Sequence, residues 1–444
     1  MKRFFGALLA ALALMGTLSG CSLNLAASPE DLYTLPQLPA EYAELNHAIR
    51  QLIEAGAEYA APTAGTNLQP LQLVDLDGDG REEALAFLRR GSDERALKIY
   101  IYERTESGYA QSAVIEGSGT AVYSVDYRDL DGDGRQEILV SWKVGPEVQA
   151  LSVFTLRLGT PRELMNSSYI RYAAADLDGD GREEILTFRS DEQGAGTADY
   201  YAWTGDGTLA PAGVARLSMT MAELSAGQVL SGTLRGGEPA VFATGVSDSR
   251  VQVTDILALR DGELGNLTVS DSTGVSREIY RYLGLFPTDI DGDGVTELPV
   301  PEELLSSGDT ESGCRVSWRS YDAAGTGETA LSAYHALADG WYLVLPESWG
   351  EGLSVRTEGT GTDASMASFG IGAGDGRIEI LRIYTFSGEN RETQAAKGGR
   401  VLLSREGETI YSAELLEAGA FTLTEDSLRQ SFHRVSRVWS LGGN

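Results

Sequence analysis

Cysteine is nearly missing from this chain: Cys21 and Cys314 are the only two among 444 residues. At most one intrachain disulfide can form, which excludes a disulfide-stapled scaffold. Histidine is almost as scarce, and His47, His335 and His433 fall in no zinc-ligand or zincin spacing. Basic residues number 35 against 65 acids, a formal charge of −30, which argues against nucleic acid or anionic lipid as a partner and makes cations the natural counterpart. After the first twenty residues no apolar run approaches the roughly 18 residues of a membrane-spanning helix. Gly-x-Ser-x-Gly and Walker patterns are absent. Gly370–Gly376 has the glycines of a nucleotide loop, but Arg377–Phe386 after it reads as a strand where a nucleotide site needs a helix.

What is present begins with a targeting signal. Lys2 and Arg3 precede an apolar stretch from Phe4 to about Leu14 that is too short to span a bilayer, so residues 1–20 read as a signal peptide. The stretch ends in Leu18-Ser19-Gly20-Cys21, which resembles a bacterial lipobox. The resemblance implies that Cys21 becomes the N-terminus, carries a lipid, and holds an extracytoplasmic protein at the bacterial cell membrane. Cys314 then has no partner and is expected as a small buried hydrophobe. Residues 21–39, polar and proline-containing, suit a tether. Over 40–70 a short helix is expected after Pro39, with Tyr42, Leu45, Ile49 and Leu52 or Ile53 at helical spacing, packed as a strap on the body.

One acidic phrase recurs four times, at Asp75–Glu83, Asp129–Glu137, Asp176–Glu184 and Asp289–Glu297. The first three starts lie 54 and 47 residues apart, and the last comes after 113, or about two steps. A degenerate unit is therefore expected between the third and fourth, and Ser231–Phe242 keeps the glycines and the following apolar strand without the acids. Each unit carries four short strand signals; in the third they are Tyr169–Ala175, Ile185–Phe188, Asp199–Trp203 and Leu209–Leu217. Units of about 40 to 60 residues with four strands each are propeller blades. The expectation is an all-β chain, a β-propeller of about five four-stranded blades over 71–345, followed by a small α+β domain over 346–444. In that last part strands are expected at Ser354–Arg356, Ile378–Phe386, Val401–Ser404 and Ile410–Leu415. A closing helix is expected with Thr424 as cap and Leu428, Phe432, Val435 and Val438 or Trp439 on its apolar face.

Calcium takes six to eight oxygens, and a loop with carboxylates at positions 1, 3, 5 and 9 and a main-chain carbonyl at position 7 can wrap such an ion. An EF-hand also needs glutamate at position 12, where this chain has Ala86, Val140, Thr187 and Val300. The loops resemble those of the FG-GAP/VCBS family of integrin-α-like propellers, in which a calcium loop of this form joins two strands of a blade. Chemistry and resemblance point to the same ligands: Asp75, Asp77, Asp79 and Glu83; Asp129, Asp131, Asp133 and Glu137; Asp176, Asp178, Asp180 and Glu184; Asp289, Asp291, Asp293 and Glu297. The Phe-Gly-Gly-Ala-Pro phrase that names the family is absent, and position 9 is Glu in place of the usual Asp.

Structural calcium and no catalytic constellation point to a lipid-anchored surface protein that binds or scaffolds a protein or glycan and is not an enzyme. The competing expectation is an envelope polysaccharide hydrolase or lyase that uses the propeller as a platform. Its best candidates are Glu347 or Glu351, beside Trp341 and Trp349, lining a sugar groove. Trp203 and Trp318, at equivalent places in two blades, are expected to pack between blades.

Overall fold

The computed structural model describes residues 42–435 apart from 107, 147, 158, 271, 305–312 and 362. The signal peptide, Cys21, the tether, Val438 and Trp439 lie outside the described residues. A helix, α1 (Ala43–Glu54), comes first, with Leu45 and Ile49 buried on one face.

Six antiparallel sheets come next in chain order. The first holds β1 (Glu58–Tyr59), β2 (Leu71–Val74), β3 (Glu83–Arg89), β4 (Leu97–Thr105) and β5 (Gly108–Gly117), with β1 and β2 both paired to β3. The second and third are plain four-stranded meanders: β6 (Ala121–Arg128), β7 (Glu137–Lys143), β8 (Gln149–Arg157) and β9 (Thr160–Tyr169), then β10 (Arg171–Ala175), β11 (Glu184–Ser190), β12 (Gly196–Trp203) and β13 (Leu209–Arg216). The fourth, β14 (Gln228–Thr233), β15 (Pro239–Val246), β16 (Val251–Arg260) and β17 (Glu263–Asn266), is the acid-free unit and takes β18 (Ile279–Arg281) on the free part of β16. The fifth contains β19 (Leu298–Glu302), β20 (Cys314–Tyr321), β21 (Gly327–Ala336) and β22 (Trp341–Val344). Its first strand is reduced to a single bridge between Thr288 and Glu297. The sixth orders β23 (Leu353–Gly361), β24 (Ala364–Ile371), β25 (Ile378–Phe386), β27 (Thr409–Leu415) and β26 (Val401–Glu406). Among the described residues no helix is long and apolar enough to cross a membrane.

These meanders stack as blades do, face to face in chain order. Successive residues of a strand point to opposite faces. In β3, Ala84, Ala86 and Leu88 meet α1, while Leu85 and Phe87 join Val125, Ile138 and Val140 of the second sheet. Leu139 and Leu151 of the second sheet pack with Ala174 and Ile185 of the third, and Leu186 and Phe188 of the third with Val241 and Leu257 of the fourth. Phe242 and Ile256 of the fourth sheet share a core with Leu298 and Tyr321 of the fifth. The α+β unit after residue 345 extends the same series: Tyr334, Trp341 and Leu343 of the fifth sheet pack against Val355, Phe369 and Leu381 of the sixth. The far face of the sixth sheet, with Tyr384, Phe386 and Ile410, is covered around Ala395 of a short helix, Arg391–Ala395. The series of apolar layers thus ends in a helix on both sides.

Thr424 does cap a helix, by accepting from the Ser427 amide, but that helix runs only over Glu425–Ser431. Phe432, expected on its apolar face, instead opens β28 (Phe432–Arg434), which pairs with Trp341–Leu343 of β22. Packing decides this. The Phe432 ring lies 5.6 Å from both Trp341 and Tyr411, a contact that a continued helix would forgo. His433 therefore sits on a strand and stacks on Tyr342 at 4.9 Å. Cys314 is buried, as expected of a small hydrophobe.

Candidate metal centres

Each acidic loop sits at the same place in its sheet, ahead of the second strand. The ninth residue is the first of that strand in β3, β7 and β11, and immediately precedes β19. Positions 1 and 9 have fixed tasks within the loop. Asp75 receives the amides of Gly78 and Gly80 at 2.8 and 2.9 Å, so its carboxylate draws the turn closed. Asp176 does the same for Gly179 and Gly181, and Asp289 for Gly292 and Gly294. Asp129 receives Gly134 at 2.9 Å. Glu83, Glu137, Glu184 and Glu297 each accept the position-2 amide with one oxygen, at 2.8, 3.0, 2.9 and 3.1 Å. The turn needs glycine at position 4: Gly78 has φ +73°, and a Cβ there would lie 2.4 Å from the Gly134 carbonyl oxygen of the next loop.

The folded loops bring the carboxylates of positions 1, 3 and 9 together, with one oxygen from each lying within 4.8 Å of the others. The groups are Asp75, Asp77 and Glu83; Asp129, Asp131 and Glu137; Asp176, Asp178 and Glu184; Asp289, Asp291 and Glu297. The position-5 residues Asp79, Asp133, Asp180 and Asp293 stand outside these groups. One oxygen of each accepts the position-7 amide, and Asp133 and Asp180 also pair with Arg157 and Arg182. Arg157 reaches Asp131 as well, at 3.2 Å.

The chemistry of these donors fits a hard divalent cation. Burial, reinforced by the neighbouring aspartates, pushes Glu83, Glu137, Glu184 and Glu297 up to about 7. Glu297 is fully enclosed, and its Oε1 has no hydrogen-bond partner while Oε2 holds the Ile290 amide. An enclosed carboxylate oxygen without a donor is costly, and a cation at the cluster would satisfy it.

The loops also touch one another. Gln136, at position 8 of the second loop, donates its amide to the carbonyl of Leu76, at position 2 of the first, at 2.8 Å; Glu183 of the third repeats the bond to Leu130 of the second at 2.7 Å. The fourth loop makes the same bond to the acid-free unit, from Thr296 to Thr233 at 2.9 Å. Composition and spacing revealed the acids but not this backbone ladder, because no side chain takes part in it.

The candidates for other chemistry fall elsewhere. Trp341 and Trp349 are both buried, and the Trp349 indole donates to the Phe421 carbonyl, so neither faces a groove beside Glu347. Trp318 is buried in the fifth sheet and donates to Nε2 of the enclosed His335, which burial pushes down to about 3. Trp203 is half-buried and bonds the Glu183 carbonyl of its own blade.

Repeated four-stranded antiparallel meanders, stacked in series with a loop before each second strand, define a β-propeller. A family model described as the FG-GAP-like repeat matches residues 75–140, from the first acidic loop through the second, so this stretch of the propeller is similar to that repeat. No curated protein matches the chain. Among solved structures, a protein from Lactobacillus plantarum aligns at 9% identity with a TM-score of 0.24, covering 69% of this chain and 89% of that one. The β-propeller domain of the Trilobed protease from Pyrococcus furiosus, described as having an open velcro topology, aligns at 10% identity with a TM-score of 0.22, covering 75% and 95%. At these scores the architecture rests on the sheets themselves.

Proposed function

We propose that the four acidic loops each hold a calcium ion, and that the propeller is the binding module of a lipoprotein attached through Cys21 to the outside of a bacterial cell membrane. In this reading the module engages a protein or glycan and performs no catalysis. The observation that carries the cation assignment is the enclosed, partnerless Oε1 of Glu297 within a converging carboxylate cluster. Asp75, Asp77 and Glu83, with their counterparts in the other loops, would hold the ion, and Asp79, Asp133, Asp180 and Asp293 are the further carboxylates the loops offer. Bound calcium would supply charge neutralisation, which carboxylates packed this closely require: two of them 4 Å apart repel by about 4 kcal/mol at an effective dielectric of 20.

Magnitude favours a structural role. A site filled at ten times its Kd adds about 1.4 kcal/mol, so four add about 5 to 6, comparable to the whole stability of an ordinary domain. Chelation with EDTA is expected to lower the melting temperature by many degrees, and calcium to restore it. An unchanged melting curve would refute the cation assignment. Incubation of the calcium-loaded protein with envelope extract is expected to yield a stoichiometric complex without product, whereas turnover of a cell-wall glycan would replace the binding reading with the hydrolase.

A further inference from the structure

The four acidic loops share one backbone pattern but differ in what holds their free carboxylate oxygens. In each loop the position-3 aspartate accepts the position-5 amide with its Oδ1, at 3.0 to 3.2 Å. The position-5 aspartate likewise accepts the position-7 amide with its Oδ1. The Oδ2 atoms are what these two residues have left for a cation. In the second loop both are taken, because Arg157 Nη2 lies 3.2 Å from Asp131 Oδ2 and 3.3 Å from Asp133 Oδ2.

Among the described residues no other position-3 aspartate pairs with a cation. Arg182 pairs with Asp180, at position 5 of its own loop, and Arg81 reaches the Arg104 carbonyl. The register of the sheets accounts for the difference. The residue that follows each loop pairs with Tyr102, Phe154, Tyr201 or Arg319, and three residues beyond these stand Thr105, Arg157, Thr204 and Asp322. Only the second blade carries a cation at that place. Its loop is also less tightly closed: Asp75, Asp176 and Asp289 accept the position-4 amide, whereas among the described residues Asp129 receives only Gly134, from position 6.

We propose that Arg157 is a tethered counter-ion that competes with calcium for the second loop, so that this site is the weakest of the four and the last to fill. The inference rests on the calcium reading above and ranks its sites. A guanidinium stays charged at any pH the fold meets, and it holds the two oxygens that the backbone leaves free for a metal. Calcium entering the loop has to displace it, since two cations on the same carboxylates repel. Displacement is feasible: the Arg157 side chain is 55% exposed, and a cavity of about 520 Å³, lined also by Asp206, adjoins it. Because an exposed ion pair is worth little by itself, the handicap is a graded one that lowers affinity without abolishing the site.

Calorimetric titration of the metal-stripped full chain with calcium chloride tests this. One site is expected to bind about threefold to tenfold more weakly than the rest, and Arg157→Gln is expected to tighten that site by the same factor. Arg157→Lys, which keeps the charge, stays nearer the unaltered protein, and Arg182→Gln leaves the weak site unchanged. Melting curves give a second readout: Arg157→Gln is expected to lower the melting temperature in EDTA yet to show a larger rise on adding calcium, whereas an arginine with a merely structural role would lower both curves equally. A weakest site that Arg157→Gln leaves unchanged or weakens further, equal lowering of both melting curves, or the same tightening from Arg182→Gln would overturn the proposal and leave the calcium reading intact. Absence of calcium binding in every one of these proteins would overturn the calcium reading, and this ranking with it.

Discussion

At Glu83, Glu137, Glu184 and Glu297 a carboxyl group is withdrawn from water and surrounded by other carboxylates, which pushes it from about 4.5 up to about 7. The folded calcium-free chain therefore holds protons there that the unfolded chain has released. Between pH 4.5 and 7 the folded state binds more protons, so this contribution to stability is complete below about 4.5 and is lost as pH rises through 7. Calcium requires the deprotonated form and reverses the trend. The calcium-free protein is expected to lose melting temperature from pH 5 to 7.5, while the increment produced by calcium grows over the same range. Melting curves with calcium and with EDTA at each pH check both slopes, and parallel slopes would contradict the account.

Between neighbouring elements, the loops are bound by their geometry as much as by their acids. Gly78 and Gly294 occupy the same left-handed region, at φ +73° and +88°, but a Cβ at Gly78 meets the Gly134 carbonyl at 2.4 Å and one at Gly294 meets nothing within 4 Å. Gly294→Ala is expected to cost about 1 to 3 kcal/mol for the backbone alone, and Gly78→Ala clearly more, as read from urea unfolding. The backbone bonds from Gln136 to Leu76 and from Glu183 to Leu130 tie the first three loops into one unit. Asp129→Ala is therefore expected to weaken calcium binding at the first and third loops as well as at its own, while Asp289→Ala leaves those three unchanged; calorimetric titration distinguishes this from four independent sites.

Much of this was legible at the level of elements because glycines and acids mark the loops, and apolar runs mark the strands that come after them. Even the acid-free unit was visible, since Gly236 and Gly237 and the strand from Pro239 persist there. Phe432 was not legible. It continues the periodicity of Leu428, and only the distant partner Trp341 pulls it into a strand, a preference that no local window contains. The exclusion of Asp79 and its counterparts from the carboxylate groups was likewise hidden, because in spacing they are equivalent to positions 1 and 3.

Across the whole molecule, layers pass apolar faces from α1 through six sheets to the helix Arg391–Ala395. Leu45 and Ile49 announced an amphipathic helix, but not that it would seal one end of the series. Trp341 of the fifth sheet and Phe369 of the sixth share one core. Such a chain, carrying a formal charge of −30, gains from cations wherever it concentrates acids. The most direct test is calcium stoichiometry, by equilibrium dialysis of the metal-stripped protein and then metal analysis. Four tightly held ions per chain, falling to three in Asp289→Ala, is the expected result; a chain that retains no calcium, or a number unaffected by Asp289→Ala, would contradict it.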